Sequence, residues 1–352
     1  MAGLTKSCCV KPSVAAADRQ RSMPMHIRSF VIAAMLLVPG KIAFADVADV
    51  AQDVLRPAYA HFAESAAALA AAAEEDCSVA ALVEPYQQAW DAWAAIDYFK
   101  LGPVEQDGRA LQISFWPDKK SSGQRAQQGM ADANAAVIDD PAQFATISVA
   151  ARGLSGLERL LYQPMIQADE DVLCRMRRTT AADLARTASE IDANWPGFET
   201  VLTTAGSADN TRYLSAAEAQ QAIYTQLVTG LDYVAETRLG RPIGTAEKPR
   251  PEAAEARAAG RSLRNVTISL TGLRDLAMAL HPSADKARDS LDSAIRLSQE
   301  LDDPVFDGLG NPEGHARIMD LKRAVLTAKR TVESDIGSEL GLTVGFNSQD
   351  GD

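Results

Sequence analysis

The chain alternates long amphipathic segments with short breaks rich in proline, glycine and serine. In eight segments the apolar residues recur every three or four positions, which is the spacing of one face of an α-helix. These segments span residues 47–75, 79–99, 143–163, 176–203, 215–239, 251–281, 283–302 and 313–338. The sixth segment shows the spacing most clearly, at Leu263, Val266, Leu270, Leu273, Ala277 and Leu280. The pattern predicts helices that pack side by side in bundles.

A run of small and polar residues at 203–208 interrupts the helical pattern between the fourth and fifth segments. We expect the chain to divide near this point into an N-terminal helical bundle at 46–205 and a C-terminal helical bundle at 212–345. The predicted fold class is therefore all-α, with two four-helix-bundle-like units packed together. A short C-terminal tail at 346–352 follows the second unit.

One long irregular loop separates the second and third segments, at about residues 101–123. Its proline, glycine and serine residues break the helical pattern, and the alternating run at 109–116 allows a short strand. Long loops inside compact domains are usually functional or covering segments. We favour a loop that covers the end of a bundle, and a loop that lines a site is the alternative.

The first 45 residues have the organisation of an export signal. A basic start at residues 25–28 precedes an apolar run at 30–38 and the A-x-A pattern at 43–45. We expect a signal peptide cleaved after Ala45 and an exported product in the periplasm or cell envelope. No later apolar run reaches about 18 residues, so we expect no transmembrane segment in the mature chain.

Residues 1–24 have no place in an ordinary signal peptide, and Met1, Met23 and Met25 are alternative starts. A mis-assigned start codon explains this N-terminal extension, and a long basic region that is removed with the signal is the alternative. Cys8 and Cys9 precede the apolar run instead of following the cleavage site. Their position argues against a lipid anchor.

The net charge of the chain bears on the partners that it can bind. The formal net charge of the 352 residues is −12, and removal of six basic residues and one acidic residue with the signal brings it to −17. Such a surface repels nucleic acid, so we expect no nucleic-acid partner.

Two cysteines, Cys77 and Cys174, remain after cleavage. A pair of thiols in an exported protein is most often a disulfide, and we predict this bond.

The stretch Gly153-Leu154-Ser155-Gly156-Leu157-Glu158 is the strongest candidate for chemistry. At helical spacing Ser155 and Glu158 are neighbours on a polar face, opposite a face of leucines. A histidine and a glutamate at this spacing can bind one metal ion, but a serine hydroxyl is a poor ligand at neutral pH. Glu158 is thus the candidate metal ligand, and an amphipathic helix with a solvated polar face is the alternative.

This stretch resembles the G-x-H-x-x-E signature of the imelysin family, with Ser155 in place of the histidine. Other segments at 101–105, 115–118, 261–265 and 345–352 also resemble imelysin-family segments, so the likeness covers residues 46–352. It is strongest to the branch described as predicted periplasmic lipoproteins. The resemblance implies an all-helical fold with the motif near the contact of two bundle-like units, a cell-envelope location, a link to iron uptake and a historical peptidase label.

By position, Gly153 and Glu158 match the family motif and Ser155 departs from it. The departure weakens the expectation of iron or another divalent metal as a cofactor, and with it any metallopeptidase activity, because a hydrolytic metal needs several protein ligands. No H-E-x-x-H sequence supplies them elsewhere.

A row of arginines, Arg257, Arg261 and Arg264, shares one face of the sixth segment. Such a row can clamp carboxylates, either of a ligand or of Glu158, and surface ion pairs with Glu255 and neighbouring residues are the alternative. The candidate site therefore comprises Gly153, Ser155, Glu158, Arg261 and Arg264. Trp90 and Trp93 are expected in the core.

These observations favour an exported, non-enzymatic imelysin-like protein that binds an envelope partner or a small ligand, in iron or haem acquisition. The alternatives are a metallopeptidase of the same family and a helical scaffold without a small ligand. If Glu158, the arginine row and the 115–118 segment converge on one cleft, the arrangement is a site. If they are dispersed, a scaffold is favoured.

Overall fold

A computed structural model describes residues 47–162, 165–245 and 247–343. The predicted extension, signal peptide and cleavage site at 1–45 lie outside the described residues, as does the C-terminal tail at 346–352.

Helices account for all the long segments. The α-helices are α1 Val47–Val50, α2 Arg56–Glu75, α3 Val79–Ala94, α4 Arg109–Ile113, α5 Ser122–Asp132, α6 Pro141–Phe144, α7 Gly153–Leu161, α8 Glu170–Thr203, α9 Ala216–Asp232, α10 Gly240–Ile243, α11 Ser262–Leu280, α12 Asp285–Glu300, α13 Pro312–Val332 and α14 Ser338–Leu340. Three π-helical segments are continuous with them, at Ala51–Leu55, Tyr233–Leu239 and Glu333–Gly337. Short 3-10 turns occur at Gly102–Val104, Gln106–Gly108, Ala136–Asp139, Val149–Ala151, Pro251–Ala253 and Asp307–Gly310.

The all-α prediction is confirmed, and the one strand that the sequence allowed is wrong. Within the described ranges the only β pairing is an isolated bridge between Thr245 and Lys248. The alternating run at 109–116 begins instead as helix α4, whose end is closed by the Ser114 N–H donating to the Ala110 carbonyl at 3.1 Å. No neighbouring strand pairs with this run within the described residues, and the first part of the run forms local helical bonds instead.

Two predicted helix boundaries move because the backbone turns at residues with positive φ. Helix α7 starts at Gly153, which has φ +62°, so the expected segment at 143–163 is broken there. Helix α11 starts at Ser262, eleven residues after the predicted position, because Ala256 and Gly260 adopt φ of +48° and +68°. Helix α5 was not predicted, because its sequence is mostly polar.

The helices pack both with neighbours along the chain and with distant helices, of which α2 and α8 form the most extensive pair. Helix α2 lies against α3 and α8, and helix α12 lies against α11 and α13. Contacts of α11 with α1 and α3 join the two groups, and one continuous apolar core contains residues from Val47 to Leu342. Trp90 and Trp93 are each 1% exposed within it, which confirms their predicted place. The division into two units near residue 205 stays a prediction.

The predicted disulfide is confirmed. Cys77, between α2 and α3, is bonded to Cys174 in α8, and the two Cα atoms lie 5.3 Å apart. Among the described helices, none combines the length and the apolar character that a membrane crossing needs.

Candidate functional site

The motif helix α7 begins where Gly153 meets the end of α4. A Cβ atom on Gly153 would lie 2.2 Å from the Gln112 carbonyl oxygen and 2.3 Å from that of Ile113. Its φ of +62° is also one that side chains disfavour. Glycine at this motif position therefore permits a close backbone approach, which fixes where α7 enters the core.

Buried charges anchor the same end of α7. Arg152, the residue before the helix, forms two hydrogen bonds to the carboxylate of Asp183 in α8, at 2.7 and 2.9 Å. Both side chains are almost fully buried, at 2% and 4% exposed. A bidentate pair of this kind fixes orientation as well as distance. It holds the start of α7 firmly against α8.

Ser155 faces the protein interior. It is 6% exposed, and its Oγ lies 3.3 Å from the Oγ of Ser114 at the end of α4. It is not among the residues that line the adjoining cleft. At the position of the family histidine this chain therefore has a hydrogen bond between two hydroxyl groups.

Three residues further along, Glu158 faces an open cleft of about 890 Å³. We call it the arginine cleft, and its charged lining residues are Asp118, Lys119, Glu158, Arg159, Arg241, Arg250, Glu252 and Arg257. Trp116 and Pro117 also line it. The volume is that of sites that hold small organic molecules, which occupy about 300–1,000 Å³.

The Glu158 carboxylate is held by backbone. Its Oε1 accepts a hydrogen bond from the Ala259 N–H at 3.1 Å. Burial raises the pKa of this carboxyl above its ordinary value, and the hydrogen bond from Ala259 opposes the rise. The contact joins α7 to the segment that precedes α11. One motif residue thus belongs to the cleft wall and also links two distant parts of the chain.

Asp118 also lines the cleft. Its carboxylate accepts hydrogen bonds from the backbone N–H groups of Ser122 at 2.8 Å and Gly123 at 2.7 Å, at the start of α5. Although partial burial opposes ionisation, these bonds hold the pKa of Asp118 below its ordinary value. The carboxylate is therefore ionised and committed to the end of that helix. Beside it, the Arg241 guanidinium lies 5.8 Å from the centre of the Trp116 ring.

The arginine row divides between two places. Arg257 lines the cleft and pairs with Asp307 at 2.5 Å. Arg261 and Arg264 lie outside the cleft lining and both bond Asp91 of α3, at 2.7 and 2.8 Å. The convergence of the candidate residues is thus partial: Glu158, the 116–118 segment and Arg257 share one cleft.

Glu255, the expected partner of the arginine row, has other contacts. It is buried, and its Oε2 accepts hydrogen bonds from Arg238 at 2.7 Å and from the Asn265 amide at 2.9 Å. Asn265 in turn accepts from Arg261 at 2.8 Å. The row therefore enters a buried polar network between α3, α11 and the π-helical segment at Tyr233–Leu239. The alternative of surface ion pairs holds with other carboxylates and not with Glu255: Glu255 is buried against Arg238, whereas Arg257 pairs with Asp307 and Arg264 with Asp91.

The residues at the motif do not fit a tightly held resident metal. Within the part of the chain that the structure describes, no three His, Cys, Asp or Glu side chains come close enough together to share one ion. The hydroxyl of Ser155 is directed at Ser114, and Glu158 bonds a backbone N–H group.

Several charged residues of the cleft were missed as site residues. Arg159 was visible on the polar face of α7, but Arg241 and Arg250 lie in a segment rich in proline and glycine with no periodicity. They reach the cleft only through the tertiary fold. Lys119 and Glu252, which are exposed, gave no sequence signal that separates them from ordinary surface residues.

Known proteins resemble most of this chain. A sequence model of the peptidase family described as Imelysin matches residues 55–332. A protein named Iron-regulated protein A from Synechococcus elongatus is 24% identical over 312 residues, which cover 80% of this chain and 83% of that protein.

Two solved structures share the fold. An imelysin-like protein from Psychrobacter arcticum matches with a TM-score of 0.73 and 21% identity, over 85% of this chain and 96% of that one. A putative iron-regulated protein A precursor from Parabacteroides distasonis matches with a TM-score of 0.58 and 13% identity, over 82% and 94%. These structures support the fold, and the family match over residues 55–332 decides the relationship: the chain belongs to the imelysin family.

Proposed function

We propose that this chain is an exported cell-envelope protein that binds a small ligand in the arginine cleft, without catalysis, in a process that responds to iron. The observation that carries the proposal is the meeting of Glu158, Trp116, Asp118 and Arg257 around one cavity of about 890 Å³. Residues distant in sequence and different in chemistry line one concave surface of ligand size, which favours binding over a purely structural role.

The relationship to iron rests on the relatives. The Synechococcus elongatus protein is named Iron-regulated protein A, and the Parabacteroides distasonis structure is described as a precursor of such a protein. The precursor description agrees with the signal-like pattern at 1–45 of this chain. Binding without catalysis is favoured because Ser155 replaces the motif histidine and bonds Ser114.

The cleft can be tested in cells that lack the gene. A deletion strain complemented with wild-type protein should regain normal growth under iron limitation, whereas Glu158→Ala combined with Arg241→Gln should not. Arg296→Gln is the matched control, because Arg296 is exposed and lies outside the cleft. Normal growth with a folded, normally abundant Glu158→Ala, Arg241→Gln variant would refute a role for the cleft.

Export and catalysis need separate measurements. Cell fractionation with N-terminal sequencing should find an envelope protein that begins at Asp46, and a cytoplasmic protein that retains residues 1–45 would contradict export. Incubation with casein, with and without a chelator, should give no chelator-sensitive cleavage. Cleavage that is lost on Glu158→Ala would instead support the metallopeptidase alternative.

A further inference from the structure

The charge of the arginine cleft differs in sign from that of the protein. Five of its eight charged lining residues are basic, although the chain as a whole carries a formal net charge of −12. A concave wall of low dielectric concentrates the field of the charges that line it. The cleft therefore attracts anions to one place on a surface that otherwise repels them.

Two of its arginines are available to a ligand. Arg159 and Arg257 are already engaged, with Gln127 at 2.7 Å and Asp307 at 2.5 Å. Arg241 and Arg250, by contrast, form no ion pair with any described residue. Arg241 is oriented by the Trp116 ring and by no carboxylate of the described residues. A guanidinium held in this way presents its N–H groups to an incoming oxyanion.

Two backbone N–H groups at the start of α5 are not free to bind a phosphate. Phosphate sites commonly use free N–H groups at a helix N-terminus or in a glycine-rich loop. Here the N–H groups of Ser122 and Gly123 at the start of α5 already donate to Asp118. These two N–H groups are therefore not free for a ligand, which favours recognition by the basic side chains of the lining.

The apolar part of the lining indicates an organic body between the charged groups. Trp116, Met165 and Val305 line the same cavity as the arginines. Its volume of about 890 Å³ is much larger than a simple inorganic anion requires. A carbon skeleton can pack against these side chains while its acidic groups reach the guanidinium groups.

We infer that the arginine cleft binds a small organic anion with two or more carboxylate groups, held by the guanidinium groups of Arg241 and Arg250 with its carbon skeleton against Trp116. The inference rests on the proposed function, because it specifies the ligand of the same cleft. The inference predicts that such an anion binds more tightly than inorganic phosphate or a simple monocarboxylate.

Isothermal titration calorimetry of the purified protein at low ionic strength, with citrate as the probe, tests the inference. Citrate should bind with a stoichiometry of one, more tightly than acetate or inorganic phosphate. Arg241→Gln and Arg250→Gln should each weaken citrate binding by about tenfold or more, the usual effect of losing a charge-assisted hydrogen bond. Arg241→Lys should also weaken it, because lysine keeps the charge but lacks the planar fork. Arg296→Gln should leave it unchanged.

Tryptophan fluorescence supplies a second measurement that locates the probe. Trp90, Trp93 and Trp195 are 1% exposed or less, so Trp116 is the tryptophan that acrylamide can reach. Citrate should protect Trp116 from acrylamide quenching in the wild-type protein. Protection should be reduced by Arg241→Gln and retained in Arg296→Gln.

The outcomes distinguish the two proposals. Absence of citrate binding, tighter binding of phosphate, or citrate binding unaffected by both arginine variants would overturn the ligand class. If one of these results is obtained but the Glu158→Ala, Arg241→Gln variant still fails to restore growth under iron limitation, the proposed function stands without this ligand class. If citrate binding depends on the arginines but the strain that carries the Glu158→Ala, Arg241→Gln variant grows normally, the ligand class stands and the proposed function is refuted.

Discussion

Substitution of Gly153 by alanine tests why the motif begins with glycine. The structure predicts two separate penalties at this position. The backbone has φ +62°, where an alanine costs about 1–2 kcal/mol. The new Cβ would also lie 2.2 and 2.3 Å from the carbonyl oxygens of Gln112 and Ile113. These are backbone atoms, so no side-chain rotation can relieve the overlap.

Two other glycines of the same chain separate these penalties. Gly108 has φ +67°, but a Cβ added there would meet no atom within 4 Å, so Gly108→Ala should show the backbone penalty alone, about 1–2 kcal/mol. Gly129 lies in helix α5, also with open space, so Gly129→Ala should stabilise the protein by about 0.8–1 kcal/mol. Gly153→Ala adds an overpacking penalty of about 1–3 kcal/mol and should lose about 2–5 kcal/mol in total.

Urea unfolding followed by circular dichroism at constant pH measures all three free energies of unfolding. The expected order of stability is Gly129→Ala, wild type, Gly108→Ala and Gly153→Ala. If Gly153→Ala were no less stable than Gly108→Ala, the close approach of α7 to the end of α4 would not be what requires glycine. The motif glycine would then need an explanation at the site itself.

Three further perturbations follow from buried or linked groups. Replacement of both disulfide cysteines by serine should lower the free energy of unfolding by about 4 to 5 kcal/mol, because the bond closes a loop with a sequence separation of 97; a loss below about 1 kcal/mol in urea unfolding would contradict this. Arg261 and Arg264 both pair with Asp91, but Arg261 is 1% exposed and Arg264 is 55% exposed. Arg261→Gln should therefore lower the free energy of unfolding by about 3 kcal/mol, and Arg264→Gln should lower it by less than about 1 kcal/mol. Equal losses would contradict the burial argument. Burial raises the pKa of Glu158 in the folded state, so its stabilising contribution is fully present below the ordinary value of 4.5 and is lost as pH rises through the folded pKa. The stability of wild type relative to Glu158→Gln should therefore fall as the pH rises above 4.5, and a stability that rises with pH there in urea unfolding would refute the assigned direction.

The hydrophobic pattern predicted most of the helices, and helix α11 shows why. All six residues of its predicted seam are at most 8% exposed, so their spacing reported the buried face directly. The start of α11 was not accessible, because the alanine-rich sequence at 251–260 continues the helical pattern although Ala256 and Gly260 adopt positive φ. A polar helix such as α5 leaves no apolar spacing to read, although Asp118 caps it well.

The sequence predicted the residues of the candidate site only where they lie together on one helix. Glu158 was identified from its spacing on α7 and from the family motif, and it lines the cleft. Arg241 and Arg250 are more than 80 residues away in a stretch rich in proline and glycine, and nothing local distinguishes them from surface arginines. Arg261 and Arg264 share a helix face with a regular pattern, but Asp91 of α3 draws both away from the cleft. The position of a charged partner on another helix decided where these two arginines lie.

Ser155 and Glu158 show how one helix face can serve two purposes. They are about 60° apart around α7 and about 4.5 Å apart along its axis, so a sequence pattern places them on one face. The structure separates them by depth: Ser155 is sealed against Ser114, while Glu158 reaches the cleft. The side chain at position 155 therefore contacts the end of α4, and the side chain at position 158 bonds the Ala259 N–H at the cleft wall. Loss of the motif histidine can leave the cleft intact, because in this chain the cleft is built from Glu158 and the arginine lining without any contribution from Ser155.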